Sequence, residues 1–441
     1  MHRNDSLDAT TAAPAGDLQG GPRALSRQDY KTLSLAALGG ALEFYDFIIF
    51  VFIATTIGAL FFPPDMPDWL RLFQTFGIFA AGYVVRPLGG MVMAHFGDLL
   101  GRKKMFNLSI LLMAVPTLLI GLLPTYASAG LAAPLLLLLL RVLQGAAVGG
   151  EVPGAWVFVA EHVPARHIGY ACGTLTAGLT LGILLGSLMA TAINSVFTPE
   201  QVAGFGWRIP FLLGGMFGLG AMYLRRWLHE TPVFTELQQR KALAAELPLK
   251  AVLREHRRAV ALSMLLTWML SAAIVVVILM TPALLQKIYG YDARSALAAN
   301  TLATLCLAVG CVTAGVLADR LGARRVLFGG ALLLALCTYA FYTTLQTQRE
   351  LLLPLYAVLG FSVGVVGVVP SVMVRAFPAP VRFSGLSFSY NLAYAIFGGL
   401  TPIMVTLMLK HQPLAPAWYV IALCGLGMVT ALCMRGRRAA A

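Results

Sequence analysis

Residues Leu135 to Pro164 open with six consecutive leucines and then carry Arg141, Gln144, Gly145, Gly149, Gly150 and Glu151 before closing at Glu161, His162 and Pro164. The stretch is long enough to cross a bilayer, which takes about 20 apolar residues. A charge at bilayer depth costs about 2.5–3.5 kcal/mol on insertion scales. Arg141 and Glu151 must recover that cost by pairing or by facing a wet cavity, which makes them functional candidates by default. The rest of the chain is read as built around what this helix faces.

Further apolar runs give about twelve spans, at 33–61, 72–96, 105–123, 133–160, 168–193 and 207–228, then 259–285, 297–317, 326–345, 351–374, 383–409 and 417–434. The bilayer core offers no water to backbone groups, so each run is a helix. Composition agrees: 12% of residues are charged, against about 25% in soluble domains. The expected fold class is an all-α membrane protein of twelve transmembrane helices in two pseudo-symmetric six-helix bundles. The net charge of +13 does not indicate nucleic acid, because no basic face is interleaved with aromatics. The basic residues instead gather in the even-numbered links and the tails, as at Arg102, Lys103 and Lys104, or Arg435, Arg437 and Arg438. The positive-inside rule then puts both termini in the cytoplasm of a multi-pass cell (inner) membrane protein, with some of the charge in contact with anionic lipid. The first 33 residues hold no apolar signal core, so the first span is expected to direct insertion. Six cysteines lack CxxC or zinc-site spacing and read as small buried hydrophobes. No metal and no cofactor is expected.

A polar link divides the chain. Residues 1–32 form a tail, 33–228 and 259–434 two six-helix bundles, 229–258 a cytoplasmic linker and 435–441 a second tail. The two halves share a loop pattern. Gly97, Asp98, Gly101, Arg102 and Lys103 follow the second span, and Asp319, Gly322 and Arg324 follow the eighth. Matching loops suit parallel repeats of a transporter. Glycine allows a tight turn, and an aspartate at a helix terminus accepts from backbone N–H groups or pairs with arginine. Two copies at matching places favour a cytoplasmic gate over a plain turn, and Glu161 at the end of the fourth span joins that set.

Charges also lie inside the first half. Glu43 and Asp46 share one face of the first span, Arg86 lies in the second, and Arg141 and Glu151 lie in the fourth. At about 1.5 Å per residue, Asp46 lies roughly 20 Å and Glu43 roughly 15 Å from the cytoplasmic end of their helix. Asp46 is expected to meet Arg141 near mid-membrane, with Glu43, Arg86 and Glu151 in a layer below. Three acids against two bases leave one carboxyl free to titrate. Desolvation raises its pKa and a nearby arginine lowers it, a physical basis for proton coupling. The competing reading is static ion pairs, for which five charges in three spans are many. The second half has no comparable charge. Its candidates are Trp268, Tyr390, Asn391 and Tyr394, with Thr267 and Asn300, either for hydrogen-bonding a small polar substrate or for holding helices together. Gly178, Gly182 and Gly186, like Gly145 and Gly149, recur every four residues and read as close helix contacts.

The motifs Ala41–Phe47, Arg86–Gly90, Gly97–Lys104, Arg141–Gly145 with Gly149–Glu151, Ala160–His162, Trp207–Phe211 and Glu230–Phe234 together resemble a metabolite:proton symporter of the major facilitator superfamily, from Leu35 to Met434. The resemblance implies proton-coupled uptake of a small organic acid or zwitterionic metabolite by alternating access. No nucleophile–base pair or metal cluster stands out, so no enzymatic chemistry is expected, and the working unit is expected to be a monomer. In related sugar symporters an aspartate of the first helix pairs with an arginine of the fourth, which here are Asp46 and Arg141. By the same resemblance Arg86 is a candidate for the substrate carboxylate. Arg86 and Arg141 would hold the anion, Asp46 and Glu43 would titrate with Glu151 modulating, and Trp268, Tyr390, Asn391 and Tyr394 would contribute from the other bundle. Leu99 stands where the family has arginine, which implies a weaker gate, and the short tail argues against osmosensing uptake. A proton-driven efflux antiporter is the alternative within transport. A passive channel or substrate sensor is the alternative from another class.

Overall fold

The computed structural model describes residues 23–225, 231, 233, 235–236, 248–409 and 411–434. The spans of the first half are Arg27–Phe52, Asp68–Leu100, Arg102–Leu122, Ala132–His162, Ile168–Val196 and Arg208–Arg225. Those of the second are Arg257–Gln286, Ala293–Leu321, Ala323–Thr344, Arg349–Ala376, Ala379–Leu409 and Ala415–Cys433. Among the described residues, eleven helices are individually long and apolar enough to cross a membrane, and the sixth span makes twelve when joined to Pro199–Gly206 across a 42° bend. No strand occurs among the described residues.

Local chemistry sets the ends. Ser26 and Asp29 form a reciprocal capping box that starts the first span. That span was expected to run to residue 61, but the helix breaks at Ile53 and Ala54–Phe61 forms a separate short helix. The second and eighth spans each end at a glycine of positive φ, Gly101 at 115° and Gly322 at 90°, a backbone conformation natural to glycine. The repeated loop is thus repeated in backbone as well as in sequence. Pro248–Glu255 forms a short helix before the seventh span, which begins at Arg257.

Glycines let the spans cross with backbones touching. A Cβ on Gly145 would lie 2.0 Å from the Gly82 carbonyl oxygen, and one on Gly149 2.1 Å from that of Arg86, so the second and fourth spans are locked together. Gly178 and Gly182 do the same for the fifth span against Ala37 and Ala41 of the first, while Gly186 meets the Phe52 ring. Gly169 and Gly173 meet the backbone of Gly315 and Cys311, which brings the fifth span onto the eighth and joins the two halves. The eleventh span packs across the second and fourth through Gly90 and Gly154. One apolar core runs through both halves. A second gathers around Phe50, Phe61, Trp207 and Phe211 in the first half. The seventh and eleventh spans each contain a π-helical stretch, Ala273–Met280 and Tyr394–Gly398, a form enriched at functional sites.

Candidate functional site

Arg86 lies where the halves meet. It is 2% exposed, and its guanidinium carbon lies 5.3 Å from the Tyr83 ring centre, 6.0 Å from Phe47, 5.8 Å from Tyr390 and 5.0 Å from Tyr394. Two rings come from each half. Tyr83 and Tyr394 stack at 6.0 Å across the junction, and Tyr390 meets Trp156 edge-on at 5.0 Å. Ring faces attract a cation by about 0.5–2 kcal/mol, but they accept no in-plane N–H bond. The Arg86 Nε and Nη2 atoms are buried with no hydrogen-bond partner in the protein. A desolvated guanidinium with unused donors is a strong site for a carboxylate, which engages two N–H groups at once.

Arg141, fully buried, occupies a second aromatic nest, 4.5 Å from the ring centre of Phe50, 4.7 Å from Phe47 and 5.1 Å from Phe79. Phe47 therefore separates two guanidinium groups. Arg141 donates to Gln144 Oε1 at 2.8 Å and to the Phe47 carbonyl at 3.5 Å. Gln144 donates to Thr117 Oγ1 at 2.6 Å, which donates to the Met113 carbonyl at 2.8 Å.

The expected direct pair between Asp46 and Arg141 is absent from this arrangement. Asp46 is fully buried, but its carboxylate faces the sixth span, where a Cβ on Gly214 would lie 2.4 Å from Oδ1 and 3.2 Å from Thr117 Cγ2. Successive residues on a helix point about 100° apart. Phe47 takes the side toward Arg141, and Asp46 is turned toward Gly214 and Gly218. The chain Arg141–Gln144–Thr117 ends beside the aspartate instead. Of the layer expected of Glu43, Arg86 and Glu151, the two described side chains face different ways. Glu151 is buried among Gly40, Phe44, Met113 and Leu179 inside the first half, whereas Arg86 faces the second. The Glu43 side chain lies outside the described residues.

In the second half, Tyr390 and Tyr394 reach Arg86 as described, but Asn391 has another task. Its Nδ2 donates to the Gly149 carbonyl at 2.6 Å and to that of Ser387 at 2.8 Å, and the Ser387 hydroxyl also donates to Gly149, at 3.2 Å. The cause is Pro153, inside the fourth span. Proline has no N–H, so the carbonyl four residues earlier loses its intrahelical donor. The opposite half supplies the replacement. Trp268 stacks on Phe397 at 4.1 Å and donates to the Tyr419 hydroxyl at 3.2 Å. It therefore packs inside the second half, apart from the Arg86 rings.

At the end of the bundle carrying the basic loops, two matching contacts join the halves. Asp98 Oδ2 accepts from the Ser384 N–H at 2.9 Å. Asp319 accepts from the N–H groups of Gly169 and Tyr170, both at 2.7 Å, with Arg375 3.6 Å away. Each aspartate ends a helix of its own half and caps the first turn of a helix of the other, where free N–H groups and the helix dipole favour an anion. Gly97 leaves room for the Phe383 ring. Glu161 pairs with Arg382 at 3.0 Å and accepts from Thr231 at 2.8 Å. Arg320 and Arg324 are exposed, Lys103 is half-buried, and the Arg102 side chain lies outside the described residues. Sequence reasoning did not anticipate Gln144, Thr117, Arg375 or the aromatic nests. The proline four residues after Gly149 was a signal for its freed carbonyl.

The profile of the Major Facilitator Superfamily matches residues 36–402. A putative proline/betaine transporter of Staphylococcus aureus (strain COL) is 34% identical, over 90% of this chain and 86% of its own length. A citrate-proton symporter of Klebsiella pneumoniae is 32% identical, over 91% of this chain and 90% of its own. A structure of a proton:xylose symporter bound to 6-bromo-6-deoxy-D-glucose superposes with a TM-score of 0.75 at 18% identity, covering 92% of this chain and 94% of the other. With the profile matched over most of its length and relatives above 30% identity along nine-tenths of it, this chain belongs to the Major Facilitator Superfamily.

Proposed function

We propose that this protein takes up a small organic acid, or a zwitterion bearing a carboxylate, together with protons, by alternating access of the bundles 33–228 and 259–434. The observation that carries the reading is Arg86, desolvated between rings of both halves with Nε and Nη2 unused by the protein. An anion docked there touches first-half and second-half side chains at once. Its binding therefore depends on how the halves are arranged, which is what alternating access requires. Arg141, across Phe47, extends the positive surface for a second carboxylate. The tyrosine faces already serve a guanidinium, which disfavours a second cation among them and favours an acid over a quaternary ammonium.

Asp46 is the proton carrier in this reading, with Glu43 beside it and Glu151 modulating. The Gln144–Thr117 chain keeps Arg141 off Asp46 in the arrangement described, and a shift of that chain would let the guanidinium approach and expel the proton. The relatives support a coupled mechanism: the Klebsiella protein is described as a citrate-proton symporter and the structural neighbour as a proton:xylose symporter. The positive-inside pattern puts both termini and the Asp98, Asp319 and Glu161 gate on the cytoplasmic side of the cell (inner) membrane, so the arrangement described is cytoplasm-closed. The working unit in this proposal is a monomer.

Uptake of citrate, proline and betaine into proteoliposomes, with and without an inward proton gradient, tests the reading. Accumulation above the outside concentration only with the gradient supports symport. Gradient-driven loss points to an antiporter, and equal filling without accumulation to a channel.

A further inference from the structure

A trough of about 320 Å³ opens on the outer side of the second half, between the eighth, ninth and tenth spans. That volume is at the lower end of small-ligand pockets, which run from about 300 Å³. Its walls are apolar, including Leu317, Leu333 and Phe361, and Arg325 lies at its basic end. From Leu321 to Gly310 it extends roughly 16 Å along the eighth span, from the turn toward mid-membrane. Its lining shares no residue with the Arg86 site, and nothing in the transport reading uses it.

Three glycines line the trough, and they differ in kind. Gly310 and Gly330 are packing glycines: a Cβ on the first would lie 2.3 Å from the Phe361 carbonyl oxygen, and one on the second 2.5 Å from the Val365 side chain. A Cβ on Gly329 would meet nothing within 4 Å. Glycine inside a helix is unfavourable relative to alanine, and no neighbour of Gly329 demands it. The missing side chain keeps the trough open. At its mouth Arg324 and Arg325 start the ninth span and Arg320 ends the eighth, and all three are exposed. None of the three donates a side-chain hydrogen bond or forms an ion pair with a described residue.

We propose that the trough is a binding site for one anionic phospholipid of the cytoplasmic leaflet. An acyl chain lies along Gly329 and Phe361 and its phosphate is held by Arg325, with Arg320 and Arg324 adding to the field. Charge complementarity selects this occupant, because basic recesses between spans on the cytoplasmic side suit anionic headgroups. An apolar segment of another protein would leave the arginines unused. Only the assignment of leaflet rests on the orientation proposed above. The test below measures binding in detergent, so it stands or falls separately from the transport reading.

Native mass spectrometry of the purified full chain, titrated with phosphatidylglycerol or phosphatidylcholine of identical acyl chains, reads the site. The intact protein is expected to retain phosphatidylglycerol in preference. Arg325→Gln is expected to lower that preference about fivefold, the effect of one arginine near an anionic surface. Gly329→Leu, whose Cβ would meet nothing within 4 Å, projects an apolar side chain into the trough and is expected to lower retention of both lipids by about tenfold, from lost acyl-chain burial. Gradient-driven uptake by both variants checks that they remain folded. Equal retention of the two lipids by the intact protein overturns the proposal, as does unchanged retention in both variants.

Discussion

The two halves share a scaffold and differ in what they bury. At the basic end they are near copies: Asp98 caps the eleventh span and Asp319 caps the fifth, each beside a positive-φ glycine three residues on. At mid-depth the likeness ends. The first half buries Asp46, Arg86, Arg141 and Glu151. The second buries no charged side chain there among the described residues and presents Tyr390, Tyr394, Asn391 and Ser387. Symmetry is kept at the contacts that join the halves at the basic end. It is abandoned where binding and coupling are proposed to occur. In the proposed mechanism, charge in one half and neutral rings and amides in the other would let one bundle carry the ions while the other closes over them.

The comparison breaks first if the first-half charge is dispensable. Asp46→Asn is expected to abolish gradient-driven accumulation while sparing substrate exchange, measured as counterflow in the same proteoliposomes. Full accumulation by this variant removes Asp46 from the mechanism. The likeness of the latches is the next target. Asp319→Ala leaves two N–H groups of a helix start without their anion, and hydrogen bonds to a charged group contribute about 1.5–3 kcal/mol each. Amide exchange in 168–171 is expected to rise at least about tenfold, with Asp98→Ala doing the same around Ser384. A change at one latch and none at the other would show the symmetry to be cosmetic.

A smaller effect sharpens the role of the second half. Asn391→Ala deprives the Gly149 carbonyl of its nearest donor and is expected to cost about 1–3 kcal/mol of stability, read from thermal unfolding. Pro153→Ala restores a donor within the helix, so the double variant is expected to recover much of the loss. A cycle without recovery means that Asn391 acts in some other way. Least of all, Tyr394→Leu is expected to weaken substrate binding by about 0.5–2 kcal/mol through loss of one ring face on Arg86, seen in calorimetry.

The spans, the repeated turn and the glycine contacts were legible because each rests on a local rule: apolar length, glycine backbone freedom or i, i+4 spacing. Rotation was not. Asp46 and Phe47 are adjacent in sequence, and only the packed helices decide that Phe47 faces Arg141 while Asp46 faces Gly214. Trp268 illustrates the same point: of its two expected uses, substrate contact or helix packing, only the packed helices show that it faces Phe397 and Tyr419 in its own half. Asn391 was found as polar and buried but given a substrate, because its partner is a backbone carbonyl freed by a proline 238 positions earlier in the chain.

The most direct measurement is calorimetric titration of a small carboxylate, such as citrate or proline, and of the amide in which each carboxylate is replaced by a neutral carboxamide, into the purified protein and its Arg86→Gln variant. Loss of a buried charge-assisted pair costs about 3–5 kcal/mol. The intact protein is therefore expected to bind the acid and reject the amide, and the variant to bind the acid at least about a hundredfold more weakly. Equal affinity of both proteins for the acid would mean that the cargo does not rest on Arg86, and the account of a charged first half closing on a neutral second would be wrong.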